Sequence, residues 1–338
     1  MQTTSERGFS LLELLVSTCV LLLIMGTVMS ALRQQTQQQQ TIWNRTEMHS
    51  GVRGATELMQ QEIGQAGRVA LPAPITLNNA VPSVKGAFGA LAVCDPANPA
   101  TNASTVAVSS ILGLWAAGGR STMITTLDGP NRETVPLSAF NAAVNPVTIS
   151  ACFVNAHAAG TTLDVEGGFG DGIIPPGTLA AGTTGSTPTV LKMFGDINGD
   201  GNMVYVEYTC DTTAGVNRLY RNSMAFDAVA KQPLGAALVL LNNIQTNPGN
   251  PPTPCFTYQT QTTLNIQGQP VGFVTDVAIT LTIQTQQLDP VTKTFHQETK
   301  ALLNVSPRNV FNAWLLGQWS YPERIQSTPA TVAALTGM

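Results

Sequence analysis

Charge is scarce in this sequence. Lys, Arg, Asp and Glu together make up 11% of its 338 residues, and the net charge is −4. No basic stripe is present to neutralise phosphates, so nucleic-acid binding is not indicated. Histidine is scarcer still: His49, His157 and His296 are scattered, none in a metal-ligand spacing such as H-E-x-x-H, and each is expected to be solvated. A G-x-S-x-G elbow and a phosphate-cradling glycine loop with lysine are both missing, so the chain is not expected to be an enzyme and offers no catalytic residues. Proline is absent from the first 71 residues, up to Pro72. Nothing there forbids one long helix.

What is present begins with an apolar run. From Phe9 to Leu32, 24 residues carry one charge, Glu13, and the run follows a short polar leader ending Arg7-Gly8. As a helix it spans roughly 36 Å, enough to cross a hydrocarbon core of about 30 Å. An ionisable group inside such a helix costs on the order of 2.5 to 3.5 kcal/mol, so Glu13 calls for a neutralising partner. If the chain were cut after Gly8, the α-amine of Phe9 would lie one helical turn from Glu13. A neighbouring chain's amine could then reach the same carboxylate and fix the register of a helical assembly. A secretory signal would instead be cut after its apolar core, whereas here the glycine precedes it.

Gly8-Phe9-Ser10-Leu11-Leu12-Glu13-Leu14-Leu15-Val16 resembles the processing motif of type IV pilins and type II secretion pseudopilins. The resemblance implies cleavage between Gly8 and Phe9 by a prepilin peptidase, N-methylation of Phe9, and ordering of the helix by Glu13 during filament growth. It also implies a bacterial inner-membrane protein, single-pass with a periplasmic head, that passes into a pilus or pseudopilus. Its partners would be other pilins or pseudopilins and an inner-membrane assembly platform.

Beyond the membrane segment, Gln34–Gln40 continues without a helix breaker. Met48, Val52, Ala55, Met59, Ile63 and Ala66 then recur at spacings of three and four, which predicts one apolar helical face, with Gly67, Pro72 and Pro74 as the stop. After Pro188 the pattern turns to alternation. Val271, Phe273, Thr275, Val277, Ile279, Leu281 and Ile283 form one run, and Phe295, Gln297, Thr299, Ala301, Leu303 and Val305 another, with Asp289-Pro290 between them. These predict an antiparallel hairpin with one buried face. Met203–Tyr208, Arg218–Arg221 and Ala237–Ile244 are further candidate strands.

The fold class expected is therefore α+β, a long helix packed on an antiparallel sheet, which is similar to the pilin architecture. The expected divisions are a leader at 1–8, a transmembrane half-helix at 9–32 and an amphipathic half at 33–67. A variable loop-rich part follows at 68–189, then a β-sheet core at 190–309 and a C-terminal extension at 310–338. Short strands in long loops are expected in the loop-rich part. A short helix at Val310–Leu316 and a mobile end are expected in the tail. The order of segments from Lys192 to Asn309 is similar to PilW-type minor pilins and J-type minor pseudopilins, so the reading is a minor pilin subunit supporting pilus biogenesis. The alternatives are a minor pseudopilin of type II secretion, or a membrane-anchored periplasmic adhesive or binding domain that does not polymerise.

Two constellations complete the sequence reading. Asp196-Ile197-Asn198-Gly199-Asp200-Gly201-Asn202, with Glu207 five residues on, fits the calcium-loop pattern D-x-N-x-D-G-x5-E. Asp196, Asn198, Asp200, Asn202 and Glu207 would supply the oxygens and Gly201 the sharp turn. A metal-free turn between strands needs the same residue types, and both readings stand at this point. Of five cysteines, Cys19 lies in the apolar run, leaving Cys94, Cys152, Cys210 and Cys255 for two disulfides in an exported part. Three pairings exist; Cys94 with Cys152 and Cys210 with Cys255 close moderate loops and are favoured.

Overall fold

The computed structural model describes residues 10–69, 74–83, 100, 102–111, 114, 116–117, 120–121, 123–166, 168–177, 184–264, 270–319, 325–326 and 328–337. The chain forms two compact units, Met1–Gly51 with Gln284–Glu298, and Val52–Ile283 with Thr299–Met338. One helix, α1 (Leu11–Gln65), contributes to both and runs for 55 residues. At the α-helical rise that is about 82 Å.

In the first unit, Ser10 to Gln40 are exposed throughout, apolar side chains included. Leu11 is 82% exposed and Leu23 72%. The same unit holds the connection between the two long hairpin strands. There Asp289 accepts hydrogen bonds from the backbone N–H groups of Val291 at 2.8 Å and Thr292 at 2.9 Å, the side-chain turn that Asp-Pro predicts. His49 Nδ1 lies 3.0 Å from Glu298 Oε2.

In the second unit the amphipathic reading of the helix holds. Val52, Ala55, Met59, Ile63 and Ala66 are all buried, as is Met48 in the first unit. The helix stops at Gln65, and Gly67 follows with φ +77°. Its backbone N–H donates to the Phe194 carbonyl at 2.9 Å, so the chain leaves the helix already hydrogen-bonded to a strand.

The strands follow in order: β1 (Ile75–Thr76), β2 (Ser104–Ala107), the short β3 (Ala116–Ala117) and β4 (Arg120–Ser121), β5 (Met123–Thr126), β6 (Thr134–Asn141), β7 (Thr148–Ala151), β8 (Thr162–Glu166) and β9 (Gly168–Phe169). Six of these form an antiparallel sheet in the order β1-β8-β5-β6-β7-β2. Its two end strands also meet. Leu77 bridges Val108, with Asn78 N–H donating to the Ala107 carbonyl at 2.8 Å and Ser109 N–H to the Thr76 carbonyl at 3.0 Å. The sheet therefore closes on itself, which removes its edges. Ile75, Leu77, Val106, Ile124, Leu137, Ile149, Phe153 and Leu163 fill a core of its own. The short strands expected in 68–189 are present among the described residues, and their closure into a sheet is what the sequence did not show. Short strands two to eight residues long give weak periodicity one at a time, and only closure makes them a domain-like body.

Next come β10 (Val190–Gly195), β11 (Val204–Asp211), β12 (Arg218–Ala225) and β13 (Leu238–Asn242), which form a four-stranded antiparallel sheet in chain order. β14 (Ile244–Gln245), β15 (Phe256–Leu264), β16 (Pro270–Gln284) and β17 (Gln297–Val305) form another, in which β16 pairs with the other three. The predicted β16–β17 hairpin is present. Its buried face is not symmetric: Phe273, Thr275, Val277, Ile279, Leu281 and Ile283 of β16 are buried, whereas Thr299 and Ala301 are exposed and Val305 is buried. In the first unit Phe295 is exposed as well. The alternating pattern marked a face that is exposed at Thr299 and Ala301 of β17.

The end of the chain is also ordered by packing. α2 (Arg308–Gln318) matches the short helix expected there, β18 (Ile325–Gln326) pairs in parallel with β9, and α3 (Ala330–Gly337) follows. Val332 and Leu335 are buried against Phe169, Phe194, Tyr205 and Met224. Thr328 Oγ1 donates to Asp171 Oδ2 at 2.5 Å. The described part of the tail thus packs into the core, where its composition suggested a mobile end.

Candidate functional site

The apolar N-terminal half of α1 is the first candidate. Gly8 and Phe9 lie outside the described residues. Ser10 opens the helix, its carbonyl accepting the N–H groups of Glu13 at 3.0 Å and Leu14 at 3.1 Å, so Glu13 sits in the first turn. Three hydroxyls of this segment bond within the helix: Ser17 donates to the Glu13 carbonyl at 2.6 Å, Thr18 to Leu14 at 3.0 Å, and Thr27 to Ile24 at 2.8 Å. Such bonds let polar side chains sit in lipid at low cost. Among the described residues Glu13 has no ion-pair partner. It is the one charge in the exposed apolar surface from Ser10 to Leu32. Among the described residues one helix, α1, is long and apolar enough to cross a membrane, by length and composition.

The far end of the same helix is held by a buried charge cluster that the sequence pattern did not reveal. Glu62, 4% exposed, accepts the Tyr208 hydroxyl at 2.5 Å, Arg221 Nε at 3.0 Å and Arg221 Nη2 at 2.6 Å. Tyr208 and Arg221 are paired residues of β11 and β12. Burial pushes the Tyr208 hydroxyl well above its ordinary range, and the Glu62 carboxylate adds to that. Burial opposes the charge on Arg221, but Glu62 outweighs it and raises the guanidinium further. The forked geometry is the one a guanidinium makes best. Asn309 Nδ2 donates to the carbonyls of Gln65 at 3.2 Å and Ala66 at 3.4 Å, which caps the helix. The only sequence signal for the cluster was Glu62 beside Ile63 on a face otherwise apolar.

The Asp196–Glu207 segment divides. Asp196, Asn198, Asp200 and Asn202 lie in the turn between β10 and β11, with Gly199 at φ +70° and Gly201 at φ +85°. Asp196 Oδ1 accepts the N–H groups of Asp200 at 3.0 Å and Gly201 at 3.3 Å, and Oδ2 lies 3.4 Å from Arg68 Nε. Asp200 Oδ1 accepts the N–H of Asn202 at 2.9 Å. Glu207 does not join them. It lies three residues into β11, opposite Lys192, where its carboxylate accepts the Tyr205 hydroxyl at 2.7 Å and Lys231 Nζ at 2.6 Å. Strand pairing carries it roughly 10 Å along the ladder from the turn, so the full five-residue calcium set is not assembled. Among the described residues no group of three or more His, Cys, Asp or Glu side chains is placed to hold a metal.

Cys210 and Cys255 are joined by a disulfide, as favoured, and Cys19 is free and exposed. Cys152 is also disulfide-bonded; Cys94 lies outside the described residues. The expectation of solvated histidines fails at His157. Its ring is buried, with Nδ1 2.5 Å from Asp128 Oδ2 and Nε2 2.6 Å from Glu133 Oε1. Glu133 also accepts the N–H groups of Val154 at 2.9 Å and Asn155 at 2.8 Å. This cluster ties the β5–β6 connection to the segment after β7. His157 lies 24 and 29 positions from its two carboxylates, so no local pattern could have shown it. Comparison with protein-family models found no match, and neither the search of curated proteins nor that of solved structures returned one.

Proposed function

We propose that this chain is a minor pilin, a prepilin subunit cut after Gly8 and inserted by α1 into or at the tip of a filament. The observation that carries the reading is Glu13, a lone carboxylate one turn into an exposed apolar half-helix that continues without a break into a β-rich head. In an assembly, the α-amine of Phe9 on the same or a neighbouring chain neutralises Glu13, and the exposed leucines and valines pack against adjacent helices. The Glu62–Arg221–Tyr208 cluster and the cap by Asn309 support this role, because a helix that bears load in a filament must be fastened to the part it displays. By the same reading the subunit waits in a bacterial inner membrane with its head in the periplasm, and its partners are other pilins, the prepilin peptidase and the assembly platform.

The test has two arms. Mass spectrometry of membrane-extracted protein should find an N-terminus at a methylated Phe9, and Glu13→Ala should remove the protein from sheared filaments while leaving it in the membrane. An intact leader, or undiminished incorporation of the Glu13→Ala variant, overturns the proposal and leaves a membrane-anchored domain that does not polymerise.

A further inference from the structure

On the face of the β10-β11-β12 sheet that carries Phe194 and Tyr205, three polar side chains stand in one row. Lys192 pairs with Glu207 and Glu207 with Asn222 in the strand registers. All three are buried, at 7%, 4% and 2% exposure. After β12 the chain turns and comes back alongside. This return places Lys231 Nζ 2.6 Å from Glu207 Oε1, and the carbonyl of the next residue, Gln232, accepts Asn222 Nδ2 at 2.8 Å. Asn222 Oδ1 is buried with no hydrogen-bond partner among the described residues. A buried acceptor left without a donor is costly and calls for a reason. The other lysine is engaged elsewhere: Lys192 Nζ donates to the carbonyls of Thr184 at 2.7 Å and Thr336 at 2.9 Å and stays 4.0 Å from Glu207.

We propose that Lys231 and Asn222 are a self-modification site, at which Lys231 Nζ forms an amide bond to Asn222 Cγ with Glu207 relaying the protons. The Lys231 ammonium first passes a proton to the Glu207 carboxylate that it contacts at 2.6 Å. The protonated Glu207, directly opposite Asn222 in the ladder, is the donor that Asn222 Oδ1 lacks, and it polarises the carbonyl for attack. The amine nitrogen then adds to Cγ. It loses a proton, the departing amide nitrogen gains one, and the Glu207 carboxyl carries both transfers. One C–N bond forms, one breaks, and ammonia leaves, taking the remaining proton from Glu207 as ammonium. No electrons change hands and no co-reactant is consumed. The strand register and the returning chain bring the Lys231 amine, the Glu207 carboxyl and the Asn222 carboxamide into one site, so the reaction is intramolecular.

Full-length protein extracted from membranes in detergent should, when denatured and reduced, weigh one ammonia less than its sequence and N-terminus require. Trypsin cuts after Arg221 and Lys231, so unmodified protein releases the peptide Asn222–Lys231. In linked protein the cut after Lys231 is blocked, and fragment spectra should join the two side chains. Glu207→Gln and Asn222→Ala should restore both the full mass and the cut. Asn222→Asp should reach the same linked product by losing water. Wild-type protein that yields the free Asn222–Lys231 peptide overturns the proposal. So does an ammonia deficit with the Lys231 cut intact, which would mark a backbone succinimide, and so does a link found on Lys192.

Discussion

Replacing Glu62 by Ala removes the anchor of the helix and strands a guanidinium. Arg221 has a side chain only 16% exposed and donates through Nε and Nη2 to this one carboxylate, which also takes the Tyr208 hydroxyl. Breaking a buried pair by deleting one partner costs about 3 to 5 kcal/mol, because the remaining charge stays desolvated and unpaired. For a folded part of this size about 2 °C of melting temperature follows each kcal/mol, so the loss should be roughly 6 to 10 °C. The contrast that isolates the mechanism is the double variant Glu62→Leu with Arg221→Met. It removes both charges and replaces them with apolar volume, and should recover most of the loss. Thermal unfolding of the detergent-solubilised chain, followed by far-ultraviolet circular dichroism, gives both numbers. A Glu62→Ala variant within about 1 kcal/mol of the parent, or a double variant no better than the single one, would refute the argument that the charges are desolvated.

Three further outcomes follow from the geometry. Gly172→Ala should prevent stable folding, since its Cβ would lie 2.2 Å from Gly67 Cα, a backbone atom at the helix end that cannot move aside; protease resistance of the expressed protein checks it. Leu335→Ala should cost about 2 to 5 kcal/mol, as for other fully buried leucines, and should expose the Phe169–Phe194 cluster beneath α3, which a urea midpoint and dye binding would register. The hairpin connection should loosen in acid. The Thr292 backbone N–H holds Asp289 below the ordinary carboxylate range, and the Val291 N–H adds to this. An unfolded chain therefore takes up the proton first, and the turn's contribution, complete above that range, is lost as pH falls through the lower folded value. Amide exchange at Val291 and Thr292 that stays unchanged on acidification would contradict it.

Patterns carried by one element were legible in advance. The spacing of Met48, Val52, Ala55, Met59, Ile63 and Ala66 marked the buried helix face, and all six are buried. The alternation from Val271 to Ile283 gave β16 its inner side, and Gly67 gave the helix its end. These signals survive in a single chain because each residue's partner lies a fixed three, four or two positions away. The calcium pattern was equally local, yet it placed Glu207 with residues it does not meet. Its strand had another neighbour in Lys192 and another ion in Lys231.

The sequence by itself determined that a long apolar helix with one embedded acid leads an antiparallel β head. Helical and strand periods and the cost of a charge in lipid depend only on the order of residues. Tertiary structure alone decided that residues near Ile75 and Ala107 close a six-stranded body, that the tail docks, and that Glu62 meets Arg221 159 positions away. Long-range pairings leave no period in the chain. They are set by which surfaces remain to be buried, and which charges remain to be matched, once the local elements have formed.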